Sequence, residues 1–205
     1  MKSLLLWMIA CRPDPGAPSY PTYEGLPNYG GPDPYEEGED RLTLGIFYEL
    51  DSSENYSIDN ASRFFYIWSN SFSVTSVGDR VEGSAADELL IGSLGWWGGG
   101  VFWNAPTDFT EWTLLHVSLK ASSDDVSNVE VGMGQGDGEV LHWFSATENG
   151  FITDGEWHHL SIPLAPAFEA IDGTRIQMPF NIRGDGIENA TLLIDNLYLS
   201  KGDVP

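Results

Sequence analysis

Residues 112 to 120 read Trp-Thr-Leu-Leu-His-Val-Ser-Leu-Lys. Leu115, Val117 and Leu119 alternate with His116, Ser118 and Lys120, the period of two that sends one row of side chains into a core and the other to the opposite face of a strand. Val129, Val131 and Met133 alternate in the same way downstream. Glu139 to Phe144, His158 to Ile162 and Thr191 to Leu199 follow as strand candidates, separated by Gly-Asp-Gly, Thr-Asp-Gly and Arg-Gly-Asp-Gly sequences that read as turns. Upstream, Leu42 to Glu49, Arg63 to Trp68, Phe72 to Val77 and Glu88 to Gly92 are short runs of β-branched and aromatic residues. Only Ala165 to Ile171 has enough helix formers for a turn or two, and prolines flank and interrupt it. About eight to ten strands exceed the seven of a constant-type immunoglobulin sandwich. The pattern predicts an all-β domain over residues 41 to 201, a β-sandwich of jelly-roll type, with residues 202 to 205 as a tail.

Between those runs lies Gly92 to Asn104, Gly-Ser-Leu-Gly-Trp-Trp-Gly-Gly-Gly-Val-Phe-Trp-Asn. Glycine weakens a strand interior and marks a bulge, a bend or the close approach of a ligand or backbone, while tryptophan carries a large apolar face. Flat rings on a backbone with room beside it suit a sugar. The competing reading, in which the tryptophans fill a β core, stays open at this point, with Phe102 expected inside and at least one of Trp96, Trp97 and Trp103 expected to be exposed.

Charge excludes several partners. The chain of 205 residues carries 31 Asp and Glu against 9 Lys and Arg, a formal net charge of -22. Neither a phosphate backbone nor an anionic bilayer attracts such a surface, so nucleic acid is not an expected partner. The single cysteine, Cys11, rules out an intrachain disulfide framework. It follows Lys2, an apolar run from Ser3 to Ala10, and the small residue Ala10. Met8-Ile9-Ala10-Cys11 resembles a bacterial lipoprotein signal, in which cleavage precedes a cysteine that is then lipidated, with Met8 in place of the usual leucine. Residues 1 to 11 are therefore expected to be a signal ending at Cys11, and the protein a secreted one, lipid-anchored to the cell envelope or surface. Residues 12 to 40 contain seven of the twelve prolines, five glycines and the acidic run Glu36 to Asp40, a composition that favours an extended linker over a packed element.

Three phrases in the expected sandwich stand in a recognisable order: Glu111-Trp112 leading into residues 113 to 120, Gly155-Glu156-Trp157-His158-His159-Leu160-Ser161-Ile162-Pro163-Leu164, and Leu193-Ile194-Asp195-Asn196-Leu197-Tyr198-Leu199. Together they resemble a carbohydrate-binding-module jelly roll of the galactose-binding-like superfamily. The resemblance implies glycan binding, packing roles for Trp112 and Trp157, and a structural calcium between the first and last strands, near Glu49, Asp51 and Asp195, with Glu82 a further carboxylate in strand order. Calcium takes six to eight oxygen ligands.

Candidate sugar-binding residues are Trp96, Trp97 and Trp103 for stacking, with Trp143 and its neighbour His142, and with Gln135 and Arg183, which lie beside glycines in expected loops, for hydrogen bonds. One of Trp143 and Phe144 must belong to the core. His158 and His159 point to opposite faces of a strand, while His116 and His142 stand alone in sequence, so no zinc-type spacing emerges. No Gly-x-Ser-x-Gly elbow or phosphate-binding loop occurs. The expectation is thus a non-enzymatic polysaccharide-binding domain on a tether. A structural or adhesion module in an envelope or extracellular assembly is the alternative, and a glycan lyase or hydrolase a more remote one.

Overall fold

A computed structural model describes residues 40–47, 54–135 and 140–201. The lipoprotein-like signal with Cys11, the linker to Glu39, the calcium candidates Glu49 and Asp51, and the 202–205 tail lie outside the described residues.

Twelve strands are present among the described residues: β1 (Arg41–Thr43), β2 (Glu54–Asn55), β3 (Arg63–Ile67), β4 (Phe72–Val77), β5 (Ala86–Ile91), β6 (Trp96–Trp103), β7 (Leu114–Lys120), β8 (Val126–Gln135), β9 (Val140–Ser145), β10 (His158–Pro163), β11 (Ile176–Gly186) and β12 (Thr191–Ser200). They form two sheets. The five-stranded sheet runs β3-β6-β11-β8-β9, and the seven-stranded sheet runs β10-β7-β12-β1-β2, with β5 also pairing β12 and β4 beyond it. All pairings are antiparallel except β1 with β2. This is the all-β sandwich of jelly-roll type that the alternation predicts.

The alternation of β7 does what its period requires. Leu115, Val117 and Leu119 lie in the core with Leu160 and Ile162 of β10, which they face across the register. Phe65, Trp97, Val101, Val131, Met133, Phe180 and Ile182 of the other sheet complete the same cluster. Each such side chain contributes about 1.5–3 kcal/mol by leaving water. The closing Leu-Ile-Asp-Asn-Leu phrase is not a plain strand: β12 shifts register between Asp195 and Tyr198, and Asn196 takes φ 57°. Asparagine tolerates that left-handed conformation better than most residues, and the bulge lets Leu197 donate its N–H to the Phe47 carbonyl at 2.8 Å. The short helix α1 (Ala165–Ala170) occupies the one segment with helix formers, with a proline in its first turn.

One expectation fails here. Arg183-Gly184-Asp185-Gly186 is not a turn but the end of β11, an eleven-residue strand at the middle of the five-stranded sheet. Its period is hidden by Pro179, which falls within the register shift between Met178 and Asn181, and by its glycines. Gly184 is there for packing, since a Cβ would lie 2.8 Å from the Trp97 ring. The glycine-rich Trp96 to Trp103 is a strand, and of the readings open for its glycines the close approach of backbone is the one found. At Gly99 a Cβ would come 2.6 Å from the Tyr66 carbonyl oxygen and 3.1 Å from the Phe72 ring.

Candidate functional site

Strand parity divides β6 between two environments. Trp97, Gly99, Val101 and Trp103 face the core; Trp96, Gly98, Gly100 and Phe102 face outward. Trp97 is fully buried, edge-on to Phe72 at 6.1 Å, with its Nε1–H donating to the Asp185 carbonyl at 3.2 Å. Trp103 is buried against Phe109 and Tyr56. Neither ring has a face for a sugar, so their expected stacking role is withdrawn. Phe102, expected inside, is instead half-buried on the outward face. Trp96 is half-buried at the outward end of the strand, paired in register with Asp185.

One row of cross-strand partners on the outward face reads Tyr66, Gly100, Asn181, Gly132, Trp143, from β3 to β9. The adjacent row contains Gly98, Arg183, Glu130 and Ser145. Trp68, just past β3, lies on Gly98, where any Cβ would collide with its six-membered ring. Trp143 lies on Gly132, where a Cβ would be 2.6 Å from the ring. The two indoles reach toward each other over β11, with centroids 6.1 Å apart and planes at 78°. The Arg183 guanidinium sits 4.1 Å from the Trp143 centroid and is held by Glu130, through Nε at 2.7 Å and Nη2 at 2.6 Å. Ser71 fixes the turn that delivers Trp68: its hydroxyl accepts from the Gly98 N–H at 3.0 Å, and Ser69 and Asn70 both take positive φ.

The glycines of β6 and β8 therefore leave room on either side of β11 for two large rings, whose planes stand at 78° to each other. Such a face offers apolar surface to the C–H side of a pyranose, with Arg183 and Glu130 at its side to hydrogen-bond hydroxyls. Of the residues expected from sequence, Trp96, Trp143 and Arg183 share this face. Arg183 does so from within a strand, not a loop. His142 does not, because it shares the side of Phe144, which packs against the core, and the two rings meet at 4.6 Å. Gln135 ends β8, and its Oε1 accepts from the Asp172 N–H at 2.6 Å, a bond that holds the segment after α1. Trp68, Tyr66 and Asn181 were missed. Trp68 and Tyr66 are two apart in Arg-Phe-Phe-Tyr-Ile-Trp, and that spacing on one face was the available signal; Asn181 had none, since β11 itself was unread.

The outward face of the seven-stranded sheet differs. His116 does not stand alone: it stacks on Tyr198 at 4.4 Å and on His159 at 5.4 Å, with its Nδ1 3.2 Å from His159 Nε2 and its Nε2 2.8 Å from the Ser200 hydroxyl. Ser118 and Ser161 hydroxyls join the same network at 3.1 and 3.2 Å, and Arg41 lies over the Tyr198 ring at 5.5 Å. His116, Ser118, Tyr198 and Ser200 are fully buried. Burial lowers His116 to about 3, with the His159 and Arg41 charges adding to it, and burial lowers His159 to about 4, so both rings are neutral near pH 7.

Asp195 is buried in the β12 bulge. Its Oδ2 accepts from the Val81 N–H at 2.7 Å and the Glu82 N–H at 3.2 Å, and its Oδ1 from the Asn196 N–H at 2.8 Å. Burial nevertheless pushes its carboxyl up to about 7. Glu82 and Asp87 are buried nearby in sequence and strand order, but among the described residues no group of three or more histidine, cysteine or acidic side chains is placed to hold a metal ion. The calcium set of Glu49, Asp51 and Asp195 thus has only Asp195 among the described residues.

No protein-family model matches the sequence, and no curated protein matches it. Solved structures do match. A family 30 carbohydrate-binding module is similar at 14% identity and a TM-score of 0.50, over 69% of this chain and 79% of that one. An exo-β-agarase is similar at 12% identity and a TM-score of 0.50 over 68% of this chain, which spans only 23% of the enzyme. A family 11 module from Clostridium thermocellum, in complex with a β-1,3-1,4-mixed-linked tetrasaccharide, matches at 12% identity and a TM-score of 0.47, over 69% of this chain and 90% of that one. At these identities the likeness shows the fold, a β-sandwich shared with carbohydrate-binding modules.

Proposed function

We propose that this sandwich binds a neutral polysaccharide, without catalysis, on the outward face of its five-stranded sheet. The observation that carries the reading is the Trp68–Trp143 pair, laid on Gly98 and Gly132 with Arg183 stacked beside it. Aromatic residues that fill a core do not need a glycine floor on the outside of a sheet; rings that receive a flat ligand do. The family 30 module that shares the fold is, by its name, a carbohydrate-binding module. Neutral glycans are favoured because Arg183 is already paired with Glu130 and the chain carries a net charge of -22, which repels uronate or sulfate.

Affinity electrophoresis against a panel of neutral and acidic polysaccharides tests this. Retardation by at least one neutral glycan, abolished in the Trp68→Ala/Trp143→Ala double variant, is the expected result. Retardation by none, or retardation that the double variant keeps, overturns it, and capture of partner proteins without glycan binding would favour the adhesion module instead. The tether is part of the proposal: Cys11 carries lipid and residues 12 to 40 hold the sandwich off the envelope, so Cys11→Ala should release the protein from the membrane fraction. Calcium is proposed at Asp195 with Glu49 and Asp51. A chelator should then lower the melting temperature, and an unchanged transition removes the ion.

A further inference from the structure

Asn181 is fully buried although it occupies an outward position at the centre of the five-stranded sheet. A carboxamide has two donors and an acceptor to satisfy. Here the Tyr66 hydroxyl donates to Oδ1 at 3.0 Å, and Nδ2 has no protein partner. Turning the amide over changes nothing, since Tyr66 then engages the nitrogen and leaves the oxygen. An unmet buried polar group costs about 1–3 kcal/mol, and a leucine of similar size would avoid that cost. Room has nonetheless been made for the amide: a Cβ at Gly100 would collide with it, and Gly132 flanks it on the other side. Over β11 the Trp68 ring, seated on Gly98 of β6, and the Trp143 ring, seated on Gly132 of β8, come within 6.1 Å of each other. The Trp68 Nε1–H is likewise buried without a protein partner.

We propose that Asn181 is the specificity-determining group of this face: the Trp68 and Trp143 rings part to admit a sugar, and the unengaged end of the Asn181 amide hydrogen-bonds one of its hydroxyls. The inference rests on the glycan-binding reading and adds to it a single buried contact. Ring stacking tolerates any pyranose with a flat C–H face. A buried amide does not, because an analogue lacking the hydroxyl, or holding it in the other configuration, leaves the amide unpaired in a dry site. The ligand is therefore a glycan whose central unit directs one hydroxyl, of fixed configuration, at the sheet.

The test uses whichever polysaccharide the panel retains best, with soluble oligosaccharides of the same linkage and their epimers for titration. Asn181→Leu should weaken binding at least tenfold and flatten the preference among epimers, with a melting temperature close to the parent's, because an unmet amide has gone while the Tyr66 hydroxyl loses one acceptor at 3.0 Å and keeps the Met178 Sδ at 3.7 Å. Asn181→Asp, which keeps the shape and the acceptor for Tyr66, guards against misfolding of the first variant and should change the preference too. Tryptophan emission of the parent should change on binding as the rings part. Should Asn181→Leu and Asn181→Asp both keep the parent's affinity and preference while Trp68→Ala/Trp143→Ala abolishes binding, the role of Asn181 is overturned and the binding face stands. If no glycan is retained, the binding reading itself fails, and this inference with it.

Discussion

On the seven-stranded sheet the outward side chains of β7, β10 and β12 form a polar network of His116, His159, Ser118, Ser161, Ser200 and Tyr198, whose rings stack and whose heteroatoms find one another. On the five-stranded sheet the outward positions alternate glycine with large aromatics, and the polar group at its centre, Asn181, is only half engaged. Both faces are rich in rings. The first uses them to close a network and gains stability; the second seats two indoles over glycines and leaves the Asn181 Nδ2 and the Trp68 Nε1 without a protein partner, groups left for a ligand to engage.

The largest expected separation is in stability. His116→Leu strips the Ser200 and Ser161 hydroxyls and His159 of a buried partner, and should cost roughly 3 kcal/mol. Glycan retention should be unchanged, because the network is on the other sheet. Trp143→Ala should do the reverse, lowering stability by about 1 kcal/mol while abolishing retention. Urea melts and affinity gels on both variants check this; equal stability losses would mean that the two faces do not differ as described.

Acid distinguishes the faces next. His116 and His159 are lowered from 6.5 to about 3 and about 4, so below pH 6.5 the unfolded chain takes up protons that the folded chain refuses. Their contribution is fully present above about 6.5 and is lost as the pH falls toward the folded values, by at most about 1.4 kcal/mol per pH unit for each ring. With chelator present, so that the proposed calcium is absent, Asp195 runs the other way. Raised from 3.8 to about 7, it holds in the folded state a proton the unfolded chain has released, so its contribution is present below about 3.8 and lost as the pH rises through 7. Two groups against one leave stability rising with pH by about 1.4 kcal/mol per unit between 4 and 6.5. Urea midpoints at pH 4.5, 5.5 and 6.5 measure the slope, and His159→Leu should bring it close to zero; a slope that the variant leaves intact would remove the network as its source.

How much of this was legible follows from what hides a strand. The runs around Leu115, Leu160 and Leu193 show a clean alternation, and with them the sandwich was readable. Trp96, Trp97 and Trp103 were grouped as one set because they are adjacent in sequence, yet parity sends only the first outward. Parity could not be applied beforehand, since three glycines made the segment look like a bend. Arg183 was singled out for the wrong reason, as a loop residue, because Pro179, Gly184 and Gly186 mask β11. Asn181 and the pairing of Trp68 with Trp143 depend on which strands are neighbours, β6 beside β11 beside β8, and no local pattern carries that. His116 and His159 are forty-three residues apart and meet only through the β7–β10 register.

The smallest expected effect bears most directly on the floor itself. At Gly98 an added methyl meets the Trp68 ring, which can swing outward, whereas at Gly100 it meets the Phe180 carbonyl oxygen at 2.6 Å, which cannot move without disturbing the sheet. Gly98→Ala should therefore stay within about 1 kcal/mol of the parent, since the loss of packing is offset by the lower entropy of the unfolded chain, yet weaken glycan binding about tenfold as the stacking ring leaves its place. Gly100→Ala should destabilise the fold by about 1–3 kcal/mol. Titration of both variants with the retained glycan, beside their urea melts, separates the two. If Gly98→Ala binds as the parent does, the seating of Trp68 on Gly98 is a matter of packing alone, as that of Trp97 on Gly184 is in the core.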